Sequence, residues 1–223
     1  MHTPAHQRIA LVFPKKTKPI IILTYLPSTK SVKITFVIDH PINAMSPTLP
    51  DHIVQRAAAI RLLILDIDGV LTDGRLLMGA NGEVFKAFHT LDGHGIKMLQ
   101  QSGVDVAVIT ARNDSAVSAR VQQLGIQYYF HGVHDKRAAY TQLREQTGLT
   151  EHQCAFVGDD VIDLPVLVRC GLPVAVANAH DFVKQHAVYT TQAVGGAGAV
   201  REVCDLLMRS QGTLDALLQE YLK

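Results

Sequence analysis

The sequence predicts an α/β fold: an open parallel β-sheet covered by helices on both faces, three layers in all, with one β-hairpin inserted. Three observations carry this. From Arg61 onward, short β-rich runs alternate with helical stretches of roughly ten residues, the pattern of successive βαβ units. Several of the β-rich runs are apolar throughout, as expected when both faces of a sheet are covered. Glycines 103, 125, 148 and 171 fall just beyond four of the helical stretches, where a left-handed terminal residue favours glycine.

The elements follow in order. Leu62-Leu-Ile-Leu65 is an apolar run of strand length. Residues 76–88 place two β-capable arms around Gly79-Ala-Asn-Gly82, which predicts a hairpin leaving the sheet after the first strand. A helix is expected over 95–101, ahead of Gly103, and a β-branched strand over 104–109. The next helix, over 115–124, stops at Gly125, and a strand follows over 127–130. Helix 137–146 ends before Gly148 and leads to strand 155–157. Helix 164–169 precedes Gly171 and strand 174–176; helix 181–186 and strand 188–190 complete the alternation. Two apolar helical stretches, 199–208 and 214–221, close the chain, and no internal repeat recurs at a fixed period.

Residues 1–60 stand outside this pattern. They are proline-punctuated, with β-rich runs at 19–26 and 31–38, and lead into Asn43-Ala-Met-Ser-Pro-Thr-Leu-Pro50. Two readings stay open: a loosely attached extension, or a start placed upstream of a true first residue at Met45. No function attaches to residues 1–50. The expected α/β domain covers 61–212, with a C-terminal helix or tail at 213–223.

Composition narrows the classes of function. Hydrophobic residues make up 48% of the 223 and charged residues 18%, which suits a folded core and excludes a disordered tail. Lys and Arg number 21 against 20 Asp and Glu, so no global field attracts nucleic acid or acidic lipid; a polyanion would have to be held locally. The apolar stretches 9–13 and 19–26 are shorter than the ~20 residues of a membrane span, and Pro14 and nearby lysines interrupt the apolar core of a secretory signal. Cys154, Cys170 and Cys204 form no C-x-x-C pair and are odd in number, so they read as reduced core thiols of a cytoplasmic protein.

Ligands of an open parallel sheet bind beyond the carboxyl ends of its strands, so the polar residues there are the candidates. The first strand runs into Asp66-Ile-Asp68-Gly-Val-Leu-Thr-Asp-Gly74, the second into Thr110-Ala-Arg112, and the fourth into Gly158-Asp-Asp-Val-Ile-Asp163; Asp135-Lys136 opens a helix. Asp66 and Asp68, two apart on extended chain, start from one side. With Asp159 and Asp160 they would crowd negative charge into one crevice, which demands a cation. Hard oxygen ligands without a His or Cys set favour Mg²⁺. Adding Lys136, Arg112 and the Thr110 hydroxyl makes a site suited to a phosphate. Taken singly, an Asp-Gly pair marks a turn and Gly-Asp-Asp a cap or loop. Their ordered occurrence after successive elements is what points to chemistry.

These motifs resemble those of the haloacid dehalogenase superfamily phosphatases: Asp66-Ile-Asp68-Gly-Val as the first, Thr110 the second, Lys136 the third and Gly158-Asp-Asp-Val-Ile-Asp163 the fourth. Within that superfamily residues 61–212 look most like the branch acting on 3-deoxy-D-manno-octulosonate 8-phosphate, on Asp68-Gly-Val-Leu-Thr-Asp-Gly74, Phe88 with Asp92-Gly-His-Gly95, and Gly195-Gly-Ala-Gly-Ala-Val-Arg-Glu202. The resemblance implies a Rossmann-like fold with no cap domain and a Mg²⁺-dependent phosphatase of lipopolysaccharide biosynthesis. By it Asp66 is the nucleophile, Asp68 the acid and base, and Thr110 and Lys136 the phosphoryl holders. Asp66, Asp159 and the Asp68 main chain would hold Mg²⁺, with Asp160 and Asp163 orienting its surroundings or capping a helix. Substrate contacts would fall on Asp68, His89, Thr90, Leu91, Asp92, Gly93, Lys97, Arg112, Arg120 and Lys136. It also implies a homotetramer built through the hairpins, with the Gly-rich segment as a mobile cover over the site. Alternatives are a nine-carbon sialic-type sugar acid 9-phosphate as substrate, or a noncatalytic phosphoacceptor or binding protein. Two departures from the branch's pattern are Ala197, where relatives often carry Arg, and Ala111, where Gly is common.

Overall fold

The computed structural model describes Arg8–Ala10, Ile20–Leu26, Ser31–Val37 and residues 49–223. The first three segments are strands β1 (Arg8–Ala10), β2 (Ile20–Leu26) and β3 (Ser31–Val37), paired antiparallel in that order, with Ile22 opposite both Ala10 and Thr35. Within the β-rich runs expected at 19–26 and 31–38, the described residues Ile20–Leu26 and Ser31–Val37 are strands. The expectation of a start at Met45 falls outside the described residues.

The second unit runs over Leu49–Lys223. Its first helix, α1 (Asp51–Ala58), buries Ile53 and Ala57 against the core. Then come β4 (Leu62–Leu65), the hairpin strands β5 (Leu77–Met78) and β6 (Val84–Phe85), α2 (Thr90–Gln101), β7 (Asp105–Ile109), α3 (Ser115–Leu124) and β8 (Tyr128–Phe130). The rest is α4 (Lys136–Thr147), β9 (Cys154–Gly158), α5 (Leu164–Leu167), β10 (Leu172–Ala175), α6 (Asp181–Lys184), β11 (Tyr189–Thr190), α7 (Ala199–Ser210) and α8 (Leu214–Glu220). Six strands form a wholly parallel sheet in the order β11-β10-β9-β4-β7-β8, with the two-stranded hairpin outside it. β4 lies between β7 and β9, and all four of its side chains are fully buried, which puts the first motif at the centre of the sheet.

Polar residues set the helix boundaries. Asp114 caps α3 by accepting from the Ala116 amide at 2.9 Å, and Asp135 caps α4 by accepting from the Arg137 and Ala138 amides at 3.0 and 3.3 Å. Gly125 and Gly148 end those helices in the left-handed conformation, with φ of 69° in each. Gly171 has a different reason: the His152 carbonyl lies where its Cβ would be, and its own amide donates to the Glu151 and Cys154 carbonyls at 2.7 and 2.9 Å. α2 begins at Thr90, five residues before the expected start. The Asp92-Gly-His-Gly95 run is helical, and its completely buried Asp92 caps a neighbour: its carboxylate accepts from the Gly198 and Arg201 amides, at 3.2 and 2.7 Å, at the start of α7. All three cysteines are buried and unpaired, and burial raises each thiol's pKa. Among the described residues no helix is long and apolar enough to cross a membrane.

In the Gly195–Gly198 segment, Gly195 is buried and Gly196 partly so, while Ala197 is exposed. The Gly196 amide donates to the Val70 carbonyl at 2.9 Å, and the Gly195 amide to Asn178 Oδ1 at 2.9 Å. A Cβ on Gly195 would overlap the Gly69 carbonyl, a backbone atom of the turn after β4. Gly195→Ala is accordingly expected to cost about 3 kcal/mol or more, because rigid backbone must move on one side or the other. A thermal melt checks this, with a drop of about 6–12 °C expected for a domain of this size.

Candidate active site

The carboxyl ends of β4, β7 and β9 open into a cleft of about 400 Å³ lined by Asp66, Asp68, Thr110, Arg112, Asp159 and Asp160 among others. Asp66 follows β4 directly. Its Oδ1 accepts from the Ile67 amide at 2.7 Å, and the Ile67 carbonyl in turn accepts from the amides of Val70, Leu71 and Thr72 at 3.2, 3.0 and 3.0 Å. The buried Thr72 hydroxyl completes the turn by donating to the Ile67 carbonyl and accepting from the Gly69 and Gly74 amides, each at 3.3 Å. Gly69 has φ of 85°, and the Asp159 carboxylate occupies the place of its missing side chain. That close approach brings the fourth motif onto the first.

Lys136, the first residue of α4, is 3% exposed and bridges two buried carboxylates, with Nζ 2.7 Å from Asp66 Oδ2 and 2.6 Å from Asp163 Oδ1. Burial alone would push its pKa down, but the facing charges of Asp66 and Asp163 outweigh that and raise it. Asp163 is fully occupied. Its other oxygen accepts from the Asp159 and Asp160 amides at 2.9 and 3.3 Å, closing the loop after β9. Asp160 caps the turn that follows, accepting from the Val161 amide at 2.7 Å. Thr110, also buried, lines the cleft at the end of β7.

The negative charge in this cluster exceeds what Lys136 balances. Asp66 is pushed up to about 6, first by burial and then by Asp163, with Lys136 opposing. Asp159 is pushed up to about 7 by burial and by Asp163, Asp66 and Asp160. Carboxylate oxygens of Asp66, Asp159 and Asp163 lie within 4.8 Å of one another. A hard divalent cation fits this donor set, since it would relieve the repulsion that raises both carboxyls. Asp66 and Asp163 both contact Lys136 and accept from backbone amides, and the Asp159 carboxylate stands against Gly69 beside them.

Asp68 stands at the mouth of the cleft between two cations. Its Oδ2 is 3.3 Å from Arg112 Nε, and its Oδ1 accepts from Lys86 Nζ. Arg112 is half exposed, whereas the Lys86 side chain is buried. The other expected substrate contacts lie elsewhere. His89 is the residue before α2, and Thr90 and Leu91 form its exposed first turn. Arg120 reaches back to this corner, donating to the His89 carbonyl at 3.4 Å, with its guanidinium 5.7 Å from the Phe88 ring centre and packed beside buried Gly93. Asp92 is turned inward to cap α7, and Lys97 lies beside a separate surface groove with Gln100, Gln101, Gln122 and Gln123. His94 is exposed on α2 and packs edge-on against Tyr221, ring centres 5.5 Å apart, away from the cleft. Ala197 is exposed on the Gly-rich segment.

Three roles are absent from the strand-end reading: the anchoring of Lys136 by Asp163, the capping of α7 by Asp92, and the pairing of Lys86 with Asp68. Only Lys86 leaves a trace in the sequence. It is the one charge in Val84-Phe-Lys-Ala-Phe88, a cation that needs a reason to be there.

Comparison with known proteins bears directly on this site. Residues 130–202 match the haloacid dehalogenase-like hydrolase family, a span that holds Lys136 and the Gly158 to Asp163 loop. The chain is 48% identical over 164 residues to a 3-deoxy-D-manno-octulosonate 8-phosphate phosphatase of Salmonella typhi, covering 74% of this chain and 87% of that one. The crystal structure of such a phosphatase from Yersinia pestis superposes with a TM-score of 0.74 at 47% identity, over 75% of this chain and 90% of the other. One from Moraxella catarrhalis, in complex with magnesium ion, phosphate ion and the KDO molecule, superposes with a TM-score of 0.76 at 36% identity, over 78% of this chain and 99% of that one.

Proposed function

Because this chain belongs to the haloacid dehalogenase-like hydrolases, and among them to the 3-deoxy-D-manno-octulosonate 8-phosphate phosphatase family, we propose that it hydrolyses that ester to the free sugar acid and phosphate, a step toward lipopolysaccharide. The observation that carries the reading is the setting of Asp66. It is a buried carboxylate joined to Lys136, apposed to Asp159, and facing a cleft that also presents Thr110 and Arg112.

In this reading an Asp66 oxygen attacks phosphorus and the bond from phosphorus to the ester oxygen breaks. Protonated Asp68 gives its proton to the departing sugar oxygen. The Asp68 carboxylate then takes a proton from water as that water attacks phosphorus, the bond to Asp66 breaks, and phosphate leaves. Asp66 and Asp159, with the Asp68 main chain, are the residues that would hold Mg²⁺. When bound, Mg²⁺ supplies charge neutralisation for an anion attacking an anion. The Thr110 hydroxyl and the Lys136 ammonium hold the phosphoryl oxygens where charge builds in the transition state. Arg112, half exposed and within reach of Asp68, is the cation offered to the substrate's carboxylate or phosphate. His89 to Gly93 and Arg120 form the neighbouring corner at which the sugar would be read. Lys97, beside its own groove, contributes to substrate binding only if the cleft and that groove are spanned together.

The reading extends to a cytoplasmic homotetramer. Leu77, Met78 and Phe85 of the hairpin, 56%, 69% and 61% exposed, support assembly through that element.

The test is phosphate release by the purified protein, with Mg²⁺ and with a chelator, across octulosonate, nine-carbon sialic-type and hexose phosphates. A preference of about tenfold or more for the octulosonate ester is expected, with activity lost in chelator. Preference for the nine-carbon ester would reassign the substrate, and equal hydrolysis of all three would withdraw the sugar acid from the reading.

A further inference from the structure

Lys86 has no part in the reaction as described, yet its environment is unusual. It leaves the second arm of the hairpin with its side chain 1% exposed, and its ammonium is hydrogen-bonded to Asp68 Oδ1. The nearest other carboxylate oxygen is Asp114 Oδ2, at 4.0 Å. Burying an ammonium is costly unless it is paired and hydrogen-bonded, so an inward-turned lysine in a run that could have been wholly apolar implies that the pairing does something. Its partner is no bystander. Asp68 is 25% exposed and has two oxygens; Lys86 takes one from inside and Arg112 approaches the other from the solvent side.

The two cations differ in what they can do. Arg112, half exposed, can release Asp68 and swing toward an incoming anion at little cost. Lys86 is enclosed, and leaving Asp68 would give up its hydrogen-bonded carboxylate for Asp114, whose Oδ2 is 4.0 Å away. We propose that Lys86 is a positioning residue. From the hairpin it fixes the rotamer of Asp68, so that the free oxygen faces the scissile ester oxygen and later the attacking water. The hairpin thereby becomes part of the acid–base apparatus although none of its residues touches phosphorus. The proposal rests on the assignment of Asp68 as acid and base.

Its test separates proton donation from general damage. An alkyl phosphate must have its leaving oxygen protonated, whereas p-nitrophenolate departs readily without a proton. First-turnover rates on a sugar phosphate and on p-nitrophenyl phosphate, taken on one preparation, give a ratio that partial misfolding does not move. Lys86→Met, which keeps length and removes charge, is expected to lower the sugar phosphate rate by about 100-fold and the p-nitrophenyl rate by less than about tenfold, with KM for the sugar phosphate little changed. Lys86→Arg should recover a large part of the loss. Lys86→Gln stands in if the Met variant does not fold. Equal losses on both substrates in the Lys86 variants, while Asp68→Asn shows the selective loss, would overturn the positioning role and leave the Asp68 assignment intact. Equal losses in Asp68→Asn itself would overturn the assignment on which the proposal stands.

Discussion

Asp66→Asn is expected to reduce turnover by about 10⁴-fold or more, while the protein still folds and, in chelator at about pH 8, melts at a higher temperature than the parent. The two halves of this result come from one fact. An amide is isosteric with the carboxylate and its one oxygen can accept from Lys136 or from the Ile67 amide, but it cannot attack phosphorus. Burial and Asp163 push Asp66 up to about 6 from an ordinary value of 3.8. A carboxyl raised in the folded state contributes its full stability below its unfolded pKa and loses it as pH rises through the folded one. The parent therefore loses stability between about pH 4 and pH 6 for which the amide has no counterpart. The advantage of Asp66→Asn should disappear in melts taken near pH 4. A variant that turns over at the parental rate would remove Asp66 from the nucleophile's role, and one that melts lower at about pH 8 would contradict the strain assigned to the carboxylate cluster.

Lys136→Met is expected to have the second largest effect, on stability as well as rate. It leaves Asp66 and Asp163 buried without the cation that both contact, the circumstance in which breaking a buried pair costs about 3–5 kcal/mol. Turnover should fall about 10²- to 10³-fold, the scale of removing one preorganised charge from a phosphoryl-transfer site. Because the cost arises from uncompensated carboxylates, Mg²⁺ should raise the melting temperature of Lys136→Met by more than it raises that of the parent. Melts of both proteins with and without the ion decide this, and equal shifts would mean that Lys136 and the cation do not answer to the same charge.

Much of this was legible in the residues. Continuous apolar runs such as Leu62 to Leu65 marked the strands because neither face of the sheet meets water, and the aspartates at their ends marked the cleft for the same topological reason. α1 leaves a weak signal in the sequence because it is eight residues long, follows Pro50 directly and buries only Ile53 and Ala57. The early start of α2 is masked by Asp92, Gly93 and Gly95, residues poor in helix propensity: Asp92 and Gly95 serve the approach to α7, and Gly93 makes room for Arg120 and Leu124 of α3. Gly195 to Gly198 suggested mobility, since glycine runs do so by default, and only the neighbouring turn shows that the space was needed. The Lys86 and Asp68 pair lies beyond the reach of a motif reading, because it joins residues 18 apart across a hairpin whose fold has to be known first.

The packing of Gly195 and Gly196 on the turn after β4 has a consequence for how the protein is made. During synthesis the first motif emerges early, but β4 gains its neighbour β9 only when Cys154 is available to pair with Leu62, and the turn gains its backing only when residue 195 does. At roughly 5–20 residues per second, the ribosome spends about 6–26 seconds between Asp66 and Gly195. Throughout that interval the nascent chain carries its aspartates without the geometry that makes them reactive. Competence should therefore arrive late and all at once, near chain release. Ribosome-bound chains arrested before residue 195 should be inert toward phosphate esters, however much of the sheet they have already formed.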